Sequence, residues 1–130
     1  MEGLNPNETN VAYNCGRLFA IYESLQSIAQ GNVNTNITDN YFPTAQSNPE
    51  IVFGRLAKLS NYHLSKLKDK PQLKVYFSKQ ILEIAEKIPY YPKTLKMQEQ
   101  GMFALGYYHQ RNENFKSKKE LKEEGEENYE

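Results

Sequence analysis

The sequence predicts an all-α fold, a compact helical bundle of about three long helices plus one or more short ones. Three observations carry this reading. Apolar residues recur at helical spacing through every long segment. Alternating strand patterns and internal repeats are absent from the chain. Prolines and a Gly-Asn cluster cut it into segments joined by connections mostly under about ten residues, as in a bundle. Of the 130 residues, 1–116 are read as one bundle domain. Residues 117–130, charged and nearly without apolar side chains, are read as a flexible, solvated acidic tail. A chain of this length buries roughly 65% of the surface that its unfolded form exposes, so no disulfide or metal staple is called for.

The first helix is expected to start between Asn7 and Asn10 and to end at Gly31. Val11, Cys15, Leu18, Tyr22, Leu25 and Ala29 form its stripe, flanked by Phe19, Ile21 and Ile28. Gly16 lies inside it at a cost of about 1 kcal/mol relative to Ala. Either a close crossing with another helix or the approach of a partner's backbone would repay that cost. Residues 32–37 (NVNTNI) read as an asparagine-rich loop. Thr38 is placed as the cap of a brief helical turn around Asp39–Phe42, which Pro43 then cuts or bends. Tyr41 and Phe42 are assigned to plug one end of the core.

The central helix is read from Ser47 to Lys70, in the middle of the chain. Ser47 and Glu50 fit a capping box, and Pro49 suits the first turn. Val52, Leu56, Leu59, His63 and Leu67 make its apolar stripe, widened by Phe53 and Leu64. Asp69-Lys70-Pro71 marks a break. A third long helix over 71–88 carries Leu73, Tyr76, Phe77, Ile81, Ile84, Ala85 and Ile88. The stiff aromatic connection PYYPK (89–93) leads to a last helix over about 95–115, which Thr94 is expected to cap. Its apolar set is Met97, Phe103, Ala104, Tyr107, Tyr108 and Phe115. Gly101 and Gly106 weaken it by propensity, so each either admits a neighbour closely or marks an irregularity.

Charge is distributed unevenly. The formal net charge is zero, yet residues 120–130 hold six acids against Lys122 alone. Residues 51–79 hold Arg55, Lys58, Lys66, Lys68, Lys70, Lys74 and Lys79 against Asp69. A body that meets phosphate and a tail that does not would account for this asymmetry. An ordinary solvated lysine face accounts for it as well, and the pattern alone does not choose between them.

The motifs of catalysis are missing. Two histidines and one cysteine lie far apart, with no HExxH, CxxC, glycine-rich phosphate loop or nucleophile elbow. Glu83 and Glu86 read as solvent-facing neighbours of Lys79 and Lys87 rather than a metal pair. His63 lies on an apolar stripe and reads as a core histidine. His109 is left open between helix surface and contact surface. The expectation is a non-enzyme without metal or cofactor. The lone Cys15 is read as a buried, inert thiol. With no leader pattern and no long apolar run, a cytoplasmic protein is expected. Nor is there a device for reading bases, so any nucleic-acid contact should fall on the backbone and be independent of sequence.

Four blocks carry a family resemblance: LNPNETNVAYNCGRLFAIYE (Leu4–Glu23), DNYFPTA (Asp39–Ala45), VFGRLAKLSNYHLSKL (Val52–Leu67) and EQGMFALGYYHQR (Glu99–Arg111). Together they resemble the C-terminal region of the large subunit of type I-C CRISPR surveillance complexes (Cascade). In that group the region is also made separately, from an internal start in the large-subunit gene, and serves as the small subunit. The methionine just before LNPN and the length suit that free form. The resemblance implies a helical bundle along the belly of a crRNA-guided complex, against the backbone subunits, the large subunit and other copies of itself. It implies a role in antiviral defence without nuclease activity, holding target DNA and the displaced non-target strand of the R-loop in a basic channel. Arg17, Arg55, Lys58, Lys66 and Arg111 lie in the resembling blocks and are implied as DNA-facing or subunit contacts. Lys68, Lys70, Lys74 and Lys79 rest on charge pattern alone. The acidic end, Glu120–Glu130, departs from the group. A purely architectural subunit and a stand-alone nucleic-acid-binding bundle are the competing readings.

Overall fold

The computed structural model describes residues 3–31 and 37–128, with side chains described through residue 117. Five α-helices follow in order: α1 (Val11–Gln30), α2 (Ile37–Ser47), α3 (Pro49–Ser65), α4 (Pro71–Ala85) and α5 (Met97–Asn128). The all-α bundle read from the sequence is the fold observed. Except for Ile37, the loop expected at 32–37 lies outside the described residues.

The helix at the centre is α1, not the mid-chain segment. It packs against each of the other four helices, most extensively against α5. Every residue from Ala12 to Tyr22 is buried, Asn14, Gly16 and Arg17 included. An apolar stripe understates such a helix, because neighbours cover its whole circumference. Only Arg17 and Glu23 are charged in its twenty residues. Asn10 caps it, its side chain accepting from the Tyr13 N–H at 3.0 Å. Gly31 ends it at φ 71°, a conformation open to glycine, with its N–H on Ser27 O.

Gly16 and Gly106 make the crossing of α1 with α5. A Cβ on Gly16 would lie 2.0 Å from the Phe103 carbonyl oxygen, and one on Gly106 would lie 2.0 Å from that of Tyr13. The two backbones touch at reciprocal glycines, so the close-crossing alternative holds for both. Around this point Phe19, Phe42, Phe103 and Tyr107 form a cluster of edge-to-face contacts, with Phe19 and Phe103 tilted, and ring centroids 4.9–6.2 Å apart. Phe42 therefore plugs the core as expected.

Several helix ends differ from the expectation. α2 does not stop at Pro43 but runs through it to Ser47. The buried Ile37 and Ala45, with Phe42 in the aromatic cluster, hold both sides of the proline in place. Thr38 is not its cap: the Ile37 N–H donates to Gln26 Oε1 of α1, and the Thr38 hydroxyl donates to Glu23. The Ser47–Glu50 capping box does not form. Ser47 closes α2, its hydroxyl on Pro43 O, and Asn48 stands at the cap of α3 without a side-chain cap bond. The Glu50 N–H instead donates to Pro92 O, and Asn48 Nδ2 to Lys93 O. The 89–93 connection thus satisfies the start of α3, and Tyr91 stacks on Phe53 at 4.9 Å.

α3 ends at Ser65, earlier than expected. The N–H groups of Lys66, Leu67 and Lys70 bond three residues back, a tightened ending before the Pro71 break. α4 closes in the same way, with Lys87 and Ile88 after Ala85. Thr94 does not cap α5, which begins at Met97. Glu99 reaches back to the Lys96 N–H at 3.1 Å, one half of a capping box. α5 also runs on to Asn128, past the expected end near 115. Residues 116–124 are mostly Lys and Glu, both good helix formers.

Candidate nucleic-acid interface

The cations predicted to meet phosphate separate into three groups. Arg55, Lys58, Lys66, Lys68, Lys70, Lys74 and Lys79 are exposed, Arg111 is exposed but paired, and Arg17 is buried.

Arg17 is only 5% exposed. Its Nε donates to Gln110 Oε1 at 3.0 Å across the α1–α5 contact, and its Nη1 has no partner among the described residues. Burial lowers its pKa, an effect that Tyr13 and Glu83 oppose. Arg17 therefore ties helices together and is removed from any surface track, a correction to its sequence reading. The neighbouring His109 is buried too, its Nδ1 2.8 Å from the Tyr13 hydroxyl. That places it in the interior.

Arg111 lies on α5, where its Nε is 3.8 Å from Glu23 Oε1 and its guanidinium stands 5.3 Å from the Phe115 ring centroid. Glu23 also accepts from Thr38 and, at 2.5 Å, from the Tyr107 hydroxyl. The Tyr107 phenol is pushed upward by burial and by this carboxylate. Glu23 is thus a joint between α1, α2 and α5. Sequence reasoning missed it, since nothing local to Glu23 signals partners 15, 84 and 88 residues away. α3 and α5 do not pack on each other among the described residues, so Arg111 belongs to a different surface from the mid-chain cations.

The remaining cations depend on helix geometry. At about 100° per residue, Ile51, Arg55, Lys58, Tyr62 and Lys66 fall within about 40° of one line along α3 and its last turn. All five are exposed. The opposite side carries Val52, Phe53, Leu56, Ser60 and His63, all buried. Among the described residues, none of Arg55, Lys58 and Lys66 makes an ion pair. Lys66 Nζ instead stands 5.0 Å from the Tyr62 ring centroid. Tyr62 was overlooked in the sequence, although its place one turn from Lys58 and from Lys66 is legible there. Lys68 and Lys70 extend the positive region through the turn, with Lys70 at the cap of α4. Lys74 and Lys79 do not share a face, since five residues place them about 140° apart around α4.

A second outward stripe has the opposite character. Met97, Gly101, Ala104, Tyr108 and Phe115 line up along α5, with Met97 86% exposed and Tyr108 and Phe115 about half exposed. The last helix is apolar on two sides: Phe103 and Tyr107 face the core, while these residues face outward. A Cβ on Gly101 would meet nothing within 4 Å.

The family model described as CRISPR-associated protein (Cas_Csd1) matches residues 1–115. The chain belongs to that family. The match takes in all the cations discussed above. No curated protein matches the chain. Membership supports a role in a CRISPR system. Among the described residues, no helix is long and apolar enough to cross a membrane, and no group of three His, Cys, Asp or Glu side chains could hold a metal ion. Cys15 is fully buried and its thiol is pushed up to about 12 by burial, so it stays protonated and unreactive near neutral pH.

Proposed function

We propose that this protein is a non-catalytic small subunit of a crRNA-guided type I-C antiviral complex in the cytoplasm. In this reading the α3 stripe holds the backbones of target and displaced DNA strands, without regard to sequence. The observation that carries it is the alignment of Arg55, Lys58 and Lys66, exposed and without ion pairs among the described residues, on one side of a helix whose other side is core. Lysine meets phosphate as a point charge and arginine can span two of its oxygens. Exchange of a DNA duplex for a guide–target duplex is nearly balanced in free energy. A few backbone contacts that slow the return of the unpaired strand therefore suffice to tip it. Lys68 and Lys70 would extend the track, while Lys74 and Lys79 contribute from separate sides of α4.

The proposed partners are the backbone subunits, the large subunit and other copies of the chain. A purely architectural role is the second reading, favoured by the apolar stripe of α5, which has the composition of a protein-packing surface. The test is a guide complex reconstituted with wild-type chain, without the chain, and with Arg55→Glu/Lys58→Glu/Lys66→Glu. Normal incorporation by native mass, with R-loop affinity falling to that of the complex lacking the chain, is the expected result. Normal incorporation with unchanged affinity would remove the DNA role from α3 and leave the architectural reading.

A further inference from the structure

Phosphate contact does not account for every residue on the α3 stripe. Tyr62 is 49% exposed on the line that carries Arg55, Lys58 and Lys66. Lys66 Nζ stands over its ring, 5.0 Å from the centroid, and the His63 imidazole meets it edge-to-face at 5.7 Å and 61°. His63 is itself 3% exposed and fixed in the core. The phenol ring is thus presented between cations one helical turn away on either side, Lys58 and Lys66, which are about 12 Å apart along the axis.

We propose that Tyr62 is a stacking platform for an unpaired base, so that the α3 stripe prefers a single DNA strand to a duplex. This rests on the reading of the stripe as a phosphate track and names the form of DNA it takes. In a duplex the base faces are covered by their neighbours, and a row of cations alone gains nothing from unpairing. A free strand offers phosphate and base face together. Its phosphate draws the Lys66 ammonium off the ring, and the base takes the ammonium's place there. Stacking on an aromatic side chain tolerates any base, because every base has a π-face. The preference for single strands is therefore compatible with indifference to sequence. The argument for DNA as occupant is charge complementarity: Lys58 and Lys66 flank the ring and Arg55 lies about two turns away, all three without acidic partners among the described residues.

The experiment compares binding of labelled oligo-dT, an abasic oligonucleotide of the same length and a duplex by the full chain at low salt. Wild-type chain should bind oligo-dT roughly tenfold more tightly than the abasic strand. Tyr62→Ala should abolish that ratio and Tyr62→Phe should keep it. Lys58→Gln/Lys66→Gln should weaken both strands equally. An unchanged ratio in Tyr62→Ala, or no preference in wild type, overturns the stacking role. A duplex bound as tightly as oligo-dT, or with the same dependence on Tyr62, overturns the preference for a single strand. If the lysine variant binds normally while Tyr62→Ala does not, the phosphate track fails and the stacking site stands. Altered incorporation of Tyr62→Ala into the guide complex, with unchanged DNA binding, would assign Tyr62 to a protein partner instead.

Discussion

The α1–α5 crossing and the outward stripe of α3 use the same residue types to opposite ends. Each has an arginine, a tyrosine and a glycine within a helix. At the crossing Arg17 is enclosed on Gln110, Tyr107 donates to Glu23, and Gly16 touches the α5 backbone. On α3, Arg55 and Tyr62 are exposed, and a Cβ on Gly54 would meet nothing within 4 Å. The difference lies in what packs against each helix rather than in the residues themselves. A helix covered on all sides converts polar side chains into ties. One covered on a single side leaves them free for a partner.

Charge reversal should break the comparison most strongly. Arg17→Glu buries an uncompensated charge beside Gln110 and is expected to destabilise the fold by about 3–5 kcal/mol. Arg55→Glu should stay within about 0.5 kcal/mol of wild type in the same denaturant titration. Similar losses for both would mean that α3 has a covered outer side. Glycine replacement comes next. Gly16→Ala drives a Cβ into the Phe103 carbonyl and should cost about 3 kcal/mol. Gly54→Ala should instead stabilise by about 0.5–1 kcal/mol, read as a higher thermal midpoint.

The smallest effect lies within α3 itself, between outward Tyr62 and inward His63. Burial lowers the His63 pKa below its ordinary value near 6.5. Below that pH the unfolded chain takes up a proton that the folded chain resists. The contribution of His63 is therefore intact above about pH 6.5 and is lost as pH falls toward the lowered folded value. His63→Leu should flatten stability over this acid range, whereas Tyr62→Phe should leave the profile unchanged.

How much of this was legible in the sequence follows the same division. The helical periods, the Gly31 stop and the Pro71 break are local, and the structure keeps them. The caps were not legible, because distant groups supply them: Gln26 for α2, and Pro92 O for the Glu50 N–H of α3. Periodicity also ranked the helices wrongly. It favours a one-sided helix such as α3 and understates α1, whose Asn14, Gly16 and Arg17 look like breaks in a stripe until a second helix covers them. For the candidate site, the exposed cations of α3 were readable as charge pattern. That Arg17 would be internal, Arg111 paired to Glu23, and Lys74 and Lys79 on different sides needed the packing or the helix register.

The α3 stripe as a phosphate contact is tested most directly by salt dependence. Affinity of the guide complex for target DNA would be followed from low to moderate salt with wild-type chain and with Arg55→Gln/Lys58→Gln/Lys66→Gln. If the three cations meet phosphates of an unpaired strand, the slope of log affinity against log salt should flatten by about 2 in the variant. An unchanged slope, with the variant fully incorporated, would contradict phosphate contact by α3.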